Sequence, residues 1–261
     1  MKILRRILVI TIALAILLTA FYFFWLSPQY VVPILMYHRF GYENNTLYVA
    51  PENFSRQMAY IKDKGYDVIS LDELVGGIKN NRKFKHKTVV ITTDDGYKDN
   101  YTYAYPILRK YNLPATMFII ANFIDNKEDY MTWSEIKTMA SKNISFGGHT
   151  RNEEYLPSVK EKEVLWDEIV GCKKAIENKI GVPVEYFCYP TGGFTEEVKA
   201  FVKEAGYKGA CTTNRGFIEL NKGIYELKRV KVTNSDMNKL FSFWAKLSGY
   251  YNLFRSRKRG Y

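Results

Sequence analysis

Cysteine and histidine are both scarce, three of each in 261 residues. Cys172, Cys188 and Cys211 are odd in number and widely spaced, which excludes a disulfide scaffold and a zinc knuckle. Each lies among apolar neighbours, as a small core residue does. His38, His86 and His149 are the only places where imidazole chemistry or ligation can occur. Acidic residues are outnumbered, 27 against 38 basic, and the net charge of +11 suits an anionic surface such as a membrane face or a cell-wall polymer. There is no internal repeat and no long linker. At 47% hydrophobic and 25% charged the chain is of ordinary globular composition, not disordered or collagenous. Aromatics reach 16%, a share that sugar-stacking or membrane-facing surfaces use.

Ile7 to Leu26 is apolar except for Thr11 and Thr19, and Lys2, Arg5 and Arg6 precede it. A helix of this length crosses about 30 Å, the thickness of a hydrocarbon core. The basic flank predicts residues 1–6 in the cytoplasm, residues 7–26 as a transmembrane anchor and everything after it extracytoplasmic. A cleaved signal peptide is the alternative, but Phe21 to Trp25 is bulky and offers no small-residue cleavage site. Nucleic-acid binding is not expected of an exported chain without a reader motif.

Beyond the anchor, β-rich runs alternate with amphipathic stretches. The expected strands are Val32–Tyr37, Asp67–Ile69, Thr88–Thr93, Ala115–Ile120, Ile144–Gly148, Val184–Tyr189, Gly209–Thr213 and Leu227–Val232. Ser70 with Glu73, Thr132 with Glu135 and Ser158 with Glu161 have capping-box spacing, and Gly65 and Gly206 stand where helices end. Such alternation predicts an α/β domain with a parallel sheet, doubly wound or closed into a barrel, over residues 27–235. In parallel barrels function collects at the C-terminal ends of strands.

Three polar clusters fall there. Thr88–Thr93 runs into Asp94-Asp95-Gly96, and two adjacent carboxylates repel unless a cation intervenes. Ile144–Gly148 ends at His149-Thr150, with Glu153 four residues after the histidine. The third ends at Tyr189-Pro190-Thr191-Gly192-Gly193, a turn whose backbone N–H groups are candidates to face a ligand.

In order and spacing these clusters resemble the NodB-homology polysaccharide deacetylases, metal-dependent carbohydrate esterases that remove N-acetyl groups from amino-sugar polymers. Thr92 to Gly96, His149 to Glu153 and Tyr189 to Gly192 match the family's motifs, and Pro33 to Arg39 resembles the start of the poly-N-acetylglucosamine deacetylase branch. The resemblance implies a distorted (β/α)7-type barrel. It makes Asp95 and His149 ligands of a divalent metal, zinc by expectation, and Asp94 the general base. Polarisation of the acetamide carbonyl and a lowered pKa of bound water are what such a metal supplies. The metal and N–H groups near Tyr189 are expected to stabilise the oxyanion.

Three positions depart from the family pattern. Glu153 stands where the family has a second histidine, giving the expected set Asp95, His149 and Glu153, one charge more negative. Thr93 replaces a common aromatic. No late histidine serves as general acid, because Leu227 to Val230 occupies that region, and His38 takes the part by resemblance. Arg229 is a candidate to orient Asp94 or a surface residue, and His86, beside Lys85 and Lys87, reads as a surface residue. Tyr97, Tyr101 and Trp133 are candidates to line a sugar cleft or to pack in the core.

Residues 236–261 mix aromatics with Arg255, Arg257, Lys258 and Arg259. This segment reads as an amphipathic, basic helix that packs on the barrel or lies on the membrane face near the anchor. The substrate expected is an N-acetylated glycan: poly-N-acetylglucosamine, peptidoglycan or chitin-like. A non-catalytic glycan-binding relative and an O-acetyl xylan-type esterase are the rivals.

Overall fold

The computed structural model describes residues 2–140, 143–213, 223–237 and 240–253. The chain divides into residues 1–31 and residues 32–261. In the first unit helix α1 (Lys2–Phe21) continues through a π-helical turn (Tyr22–Leu26) and a short 3-10 turn (Ser27–Gln29). The run Lys2–Gln29 is long and apolar enough to span a membrane, with a mean hydropathy of 2.7 in its most apolar window.

The second unit follows as β1 (Ile34–Tyr37), β2 (Arg39–Phe40), β3 (Tyr48–Val49), α2 (Pro51–Asp63), β4 (Asp67–Val68), α3 (Leu71–Lys79), β5 (Thr88–Thr93), α4 (Tyr105–Tyr111), β6 (Ala115–Ile119), α5 (Trp133–Ala140) and β7 (Ile144–Gly148). It continues with α6 (Lys162–Trp166), α7 (Cys172–Ile180), β8 (Tyr186–Cys188), α8 (Glu196–Glu204), β9 (Gly209–Thr212), β10 (Leu227–Lys228), β11 (Val230–Lys231) and α9 (Leu240–Leu247). All eight expected strands are present, most of them a residue or two shorter at their ends.

The strands lie in the order β10-β9-β8-β7-β6-β5-β1-β11, with β4 beside the start of β5. Every pairing in this sheet is parallel. The end strands β10 and β11 are separated only by Arg229. One continuous run thus pairs with β9 before Arg229 and with β1 after it, so the sheet's two edges meet. The result is a nearly closed barrel of seven staves, the fold the resemblance implies. Its strands are buried on both faces, which is why β5 reads TVVITT without polar alternation.

Local signals set the helix starts. Ser70 Oγ accepts the Glu73 N–H at 3.0 Å, and Thr132 and Glu135 form a reciprocal box at 3.3 and 2.8 Å. Gly65 and Gly206 take positive φ after α2 and α8. Ser158 is different: its hydroxyl donates to the Tyr155 carbonyl inside a 3-10 turn, and α6 starts only at Lys162.

Helix α9 packs on the barrel through Phe243 and Leu247, both buried. Lys246 Nζ reaches Asp236 Oδ2 at 2.6 Å and the Lys231 carbonyl at 2.8 Å. On its outer side Phe241 is 75% and Trp244 48% exposed, their rings 5.4 Å apart. Residues 254–261, with the basic end, lie outside the described residues.

Candidate active site

Parallel register decides which strand ends meet. Tyr37 pairs with Thr93, so the next residues, His38 and Asp94, emerge side by side. Gly148 pairs with Ile119 on one side and Phe187 on the other, which sets His149 beside Cys188. Gly148 has no room for a side chain, since a Cβ there meets the Tyr207 hydroxyl at 2.6 Å.

Arg229, from the gap between β10 and β11, is buried. Its Nη1 donates to Asp94 Oδ1 and its Nη2 to Asp94 Oδ2, both at 2.6 Å. The same fork reaches Thr92 Oγ1 at 3.1 Å and Cys188 Sγ at 3.0 Å. Burial alone raises a carboxyl pKa, but the guanidinium overrides it and holds Asp94 at about 2. Of the two readings for Arg229, the buried partner of Asp94 is the observed one.

His38 Nε2 stands 3.8 Å from Asp94 Oδ2. Burial lowers its pKa in spite of Asp94 and Asp95, so the imidazole is neutral near pH 7. Asn100 Nδ2 donates to the His38 carbonyl at 2.9 Å and fixes the backbone there.

His149 is buried, with Nδ1 2.7 Å from the Cys188 carbonyl oxygen. A carbonyl only accepts, so Nδ1 carries a proton and Nε2 is the nitrogen turned toward the strand ends. His149 Nε2 stands 3.2 Å from Asp95 Oδ1. Burial disfavours charge on the ring, yet Cys188 and Asp95 lift its pKa well above the ordinary imidazole range. With its pKa raised the ring holds a second proton on Nε2 and donates it to Asp95, and a divalent cation displacing that proton would bind the same two atoms.

Asp95 occupies φ +73° and Gly96 φ +85°; a Cβ on Gly96 meets Ile119 Cγ2 at 2.9 Å. Asp95, Thr150, Glu153 and Thr191 are four of the eight described non-glycine residues with positive φ, so backbone strain concentrates at the strand ends carrying the three motifs. Glu153 is exposed, and its N–H donates to Thr150 Oγ1 at 3.0 Å. Partial desolvation and then the Asp95 charge raise its pKa, while His149 acts in the opposite direction.

Among the described residues, the group of three ligand-type side chains whose atoms all lie within 4.8 Å of one another is Asp94, His149 and Cys188. Two of these already bond the Arg229 guanidinium, whose charge opposes a second cation at that point. Asp95 forms no ion pair with a lysine or arginine among the described residues, and with His149 Nε2 it is the pair better suited to a divalent metal. Cys188 is the site residue the sequence did not reveal; its only signal was its place at the end of a strand beside the histidine strand.

The remaining expected residues divide. Tyr97 is half-buried under the Arg39 guanidinium, 4.1 Å from its ring centroid, and burial, then Asp95 and Glu153, raise its pKa, which places it beside the acidic cluster. Its ring lies 4.8 Å from Tyr130. Trp133 is buried in the core, and Tyr101 stacks on Tyr105 at 6.0 Å. The Tyr189 ring is buried and its hydroxyl donates to the Tyr225 carbonyl. The N–H groups of Tyr189, Gly192 and Gly193 donate to Cys211, Tyr189 and Pro190 carbonyls, so these three are committed within the barrel and do not serve an oxyanion. Pro190 and Gly192 are buried, and Thr191 is the exposed member of that motif. His86 is exposed before β5, its ring 6.2 Å from that of Tyr250.

Residues 81–210 match the family model for polysaccharide deacetylases. The Bacillus subtilis protein YxkH, which carries a polysaccharide deacetylase name, is 34% identical over 202 residues, 77% of this chain and 71% of that one. The chain belongs to the polysaccharide deacetylase family. A poly-β-1,6-N-acetyl-D-glucosamine N-deacetylase of Staphylococcus aureus is 24% identical over 75% of this chain and 71% of its own. Among solved structures, the Streptococcus pyogenes deacetylase PplD in complex with acetate superposes with a TM-score of 0.75 at 28% identity, covering 82% of this chain and 99% of that one. IcaB from Ammonifex degensii shares the fold, with a TM-score of 0.73 at 23% identity. As a polysaccharide deacetylase of the NodB-homology family the chain is a hydrolase of carbon–nitrogen bonds, and deacetylases of this family are in general metal-dependent.

Proposed function

We propose that this deacetylase removes N-acetyl groups from an extracytoplasmic amino-sugar polymer of the poly-N-acetylglucosamine type, with a divalent metal, zinc by preference, held at Asp95 and His149 and completed by Glu153. The observation that carries the reading is the meeting of His149 Nε2 and Asp95 Oδ1 at 3.2 Å, beside an Asp94 gripped by Arg229. The S. aureus relative named for poly-β-1,6-N-acetyl-D-glucosamine supports the substrate class.

When bound, the metal supplies Lewis acidity toward the acetamide oxygen and toward water. The chain's own groups do the rest. Asp94 faces the attacking water and takes its proton. The Arg229 fork keeps that carboxylate in one orientation through the step. His38 Nε2, 3.8 Å away, receives the proton from Asp94 and delivers it to the leaving amine. Tyr97, beside Asp95 and Glu153, is the aromatic placed to meet the sugar, while Trp133 packs in the core. Thr191, the exposed residue of its motif beside the buried Tyr189, Pro190 and Gly192, is the part of that turn left to meet the glycan.

The apolar run Lys2–Gln29 supports single-pass anchoring, with the barrel outside. The exposed Phe241–Trp244 pair and the basic residues 255–259 support a second contact with anionic headgroups. Vesicle binding by residues 32–261 should fall when residues after Ser248 are removed; unchanged partitioning overturns that contact. The deacetylase reading itself is tested by acetate release from β-1,6-linked N-acetylglucosamine oligomers, with and without a chelator. Release that the chelator abolishes and added Zn2+ restores is expected, and no release under either condition refutes it.

A further inference from the structure

Glu168 lies on a π-helical turn, Asp167–Gly171, between α6 and α7, outside every motif. It is 3% exposed and forms no ion pair with a lysine or arginine among the described residues. A buried carboxylate without a cation needs N–H donors. Glu168 finds three, all in one loop. Oε2 accepts the Arg151 N–H at 2.8 Å and the Asn152 N–H at 2.9 Å, and Oε1 accepts Asn152 Nδ2 at 2.5 Å.

This loop carries His149 at its start and Glu153 at its end. Thr150 at φ +64° and Glu153 at φ +67° both occupy the left-handed region, unfavourable for a β-branched threonine above all. Such strain persists only where the surroundings over-determine the backbone. The β6 side supplies two backbone bonds, Ala121 N–H to the Thr150 carbonyl at 3.2 Å and Asn122 N–H to the Arg151 carbonyl at 3.0 Å, and the Asn122 side chain bonds those of Asn152 and Arg151. Glu168 supplies the grip from the α6–α7 side, and Arg151 Nη1 adds an ion pair to Asp167 at 2.5 Å. Gly171 keeps this corner open, since a Cβ there would crowd the Asp167 carboxylate and lie 3.2 Å from Arg151 Nη1. A π-helical turn inside a helical run commonly marks a functional position.

We infer that Glu168 is a positioning residue: by holding the backbone of Arg151 and Asn152 it fixes the loop that presents His149 and Glu153 to the metal. The inference rests on the metal reading above, and its test separates the two. In the full-length chain, Glu168→Ala is expected to weaken Zn2+ and Mn2+ affinity, measured by chelator competition, by about 10- to 100-fold. Without metal, hydrogen exchange in the peptide spanning residues 149–153 should speed up, while exchange in β5 and β6 stays unchanged. Glu168→Gln keeps one acceptor oxygen but turns an amide donor toward the loop, so it should fall between wild type and Glu168→Ala; it carries the same test if the alanine variant does not fold. A purely structural carboxylate would lower the melting temperature and leave both readouts of the folded protein unchanged, and that result overturns the inference. Wild type without metal affinity defeats the metal reading instead, and exchange in residues 149–153 then decides the role of Glu168: no acceleration in the variants overturns it.

Discussion

Arg229 holds both carboxylate oxygens of Asp94 at 2.6 Å from a one-residue gap between two strands. One side chain thus joins the closing seam of the barrel to the carboxylate proposed as the general base. Lysine cannot form this fork. Arg229→Lys should therefore lower kcat by about 10- to 100-fold with KM little changed, because Asp94 loses its fixed orientation. Arg229→Met leaves Asp94 buried and unpaired, and denaturant unfolding should show a loss of about 3–5 kcal/mol. Wild-type kcat in Arg229→Lys would remove Arg229 from catalysis.

His38 is assigned the delivery of the proton to the amine. His38→Ala should reduce turnover by about 10²- to 10⁴-fold while elemental analysis shows wild-type metal content. An unaltered rate rejects it as the proton donor.

Glu153 replaces an imidazole with a carboxylate in the expected ligand set. Metal affinity measured by competition should drop about tenfold or more in Glu153→Ala and be retained in Glu153→His. Full affinity in the alanine variant would leave Asp95 and His149 as the protein's ligands without it.

The buried pair between Asp236 and Lys246 ties α9 to the barrel. Burial raises the Asp236 pKa, but Lys246, Ser242 and the Thr233 N–H outweigh it and bring the folded value below the ordinary 3.8. A depressed folded pKa contributes stability that is present above the unfolded value and is lost as pH falls through the folded one. Unfolding free energy should accordingly decline from about pH 4 downward. In Lys246→Met this acid-dependent component should shrink, and stability at pH 7 should fall by about 3–5 kcal/mol through the unpaired carboxylate. Identical pH–stability curves would contradict the assignment.

The sequence made the barrel legible because parallel strands buried on both faces read as short apolar runs, and all eight were found. It did not show that Leu227–Val232 breaks at Arg229, since neither proline nor glycine marks the break. The Ser158 spacing misled because its hydroxyl bonds backward to Tyr155. Asp94, Asp95, His149 and His38 were legible from their places at strand ends. Cys188, Asn100 and Glu168 were not: what makes them matter is register and burial across the barrel. The left-handed backbone at Asp95, Thr150, Glu153 and Thr191 was equally hidden, because none of them is glycine. The N–H groups near Tyr189 looked available for an oxyanion until the turn showed three of them spent on carbonyls.

The central claim, a cation held between Asp95 and His149 that serves deacetylation, is tested most directly by measuring bound metal in purified Asp94→Asn and His149→Ala alongside acetate release from N-acetylated oligomers. The account predicts that Asp94→Asn keeps its metal and releases no acetate, and that His149→Ala loses both. Wild-type protein that binds no divalent metal, or a His149→Ala variant that keeps metal and activity, would contradict it.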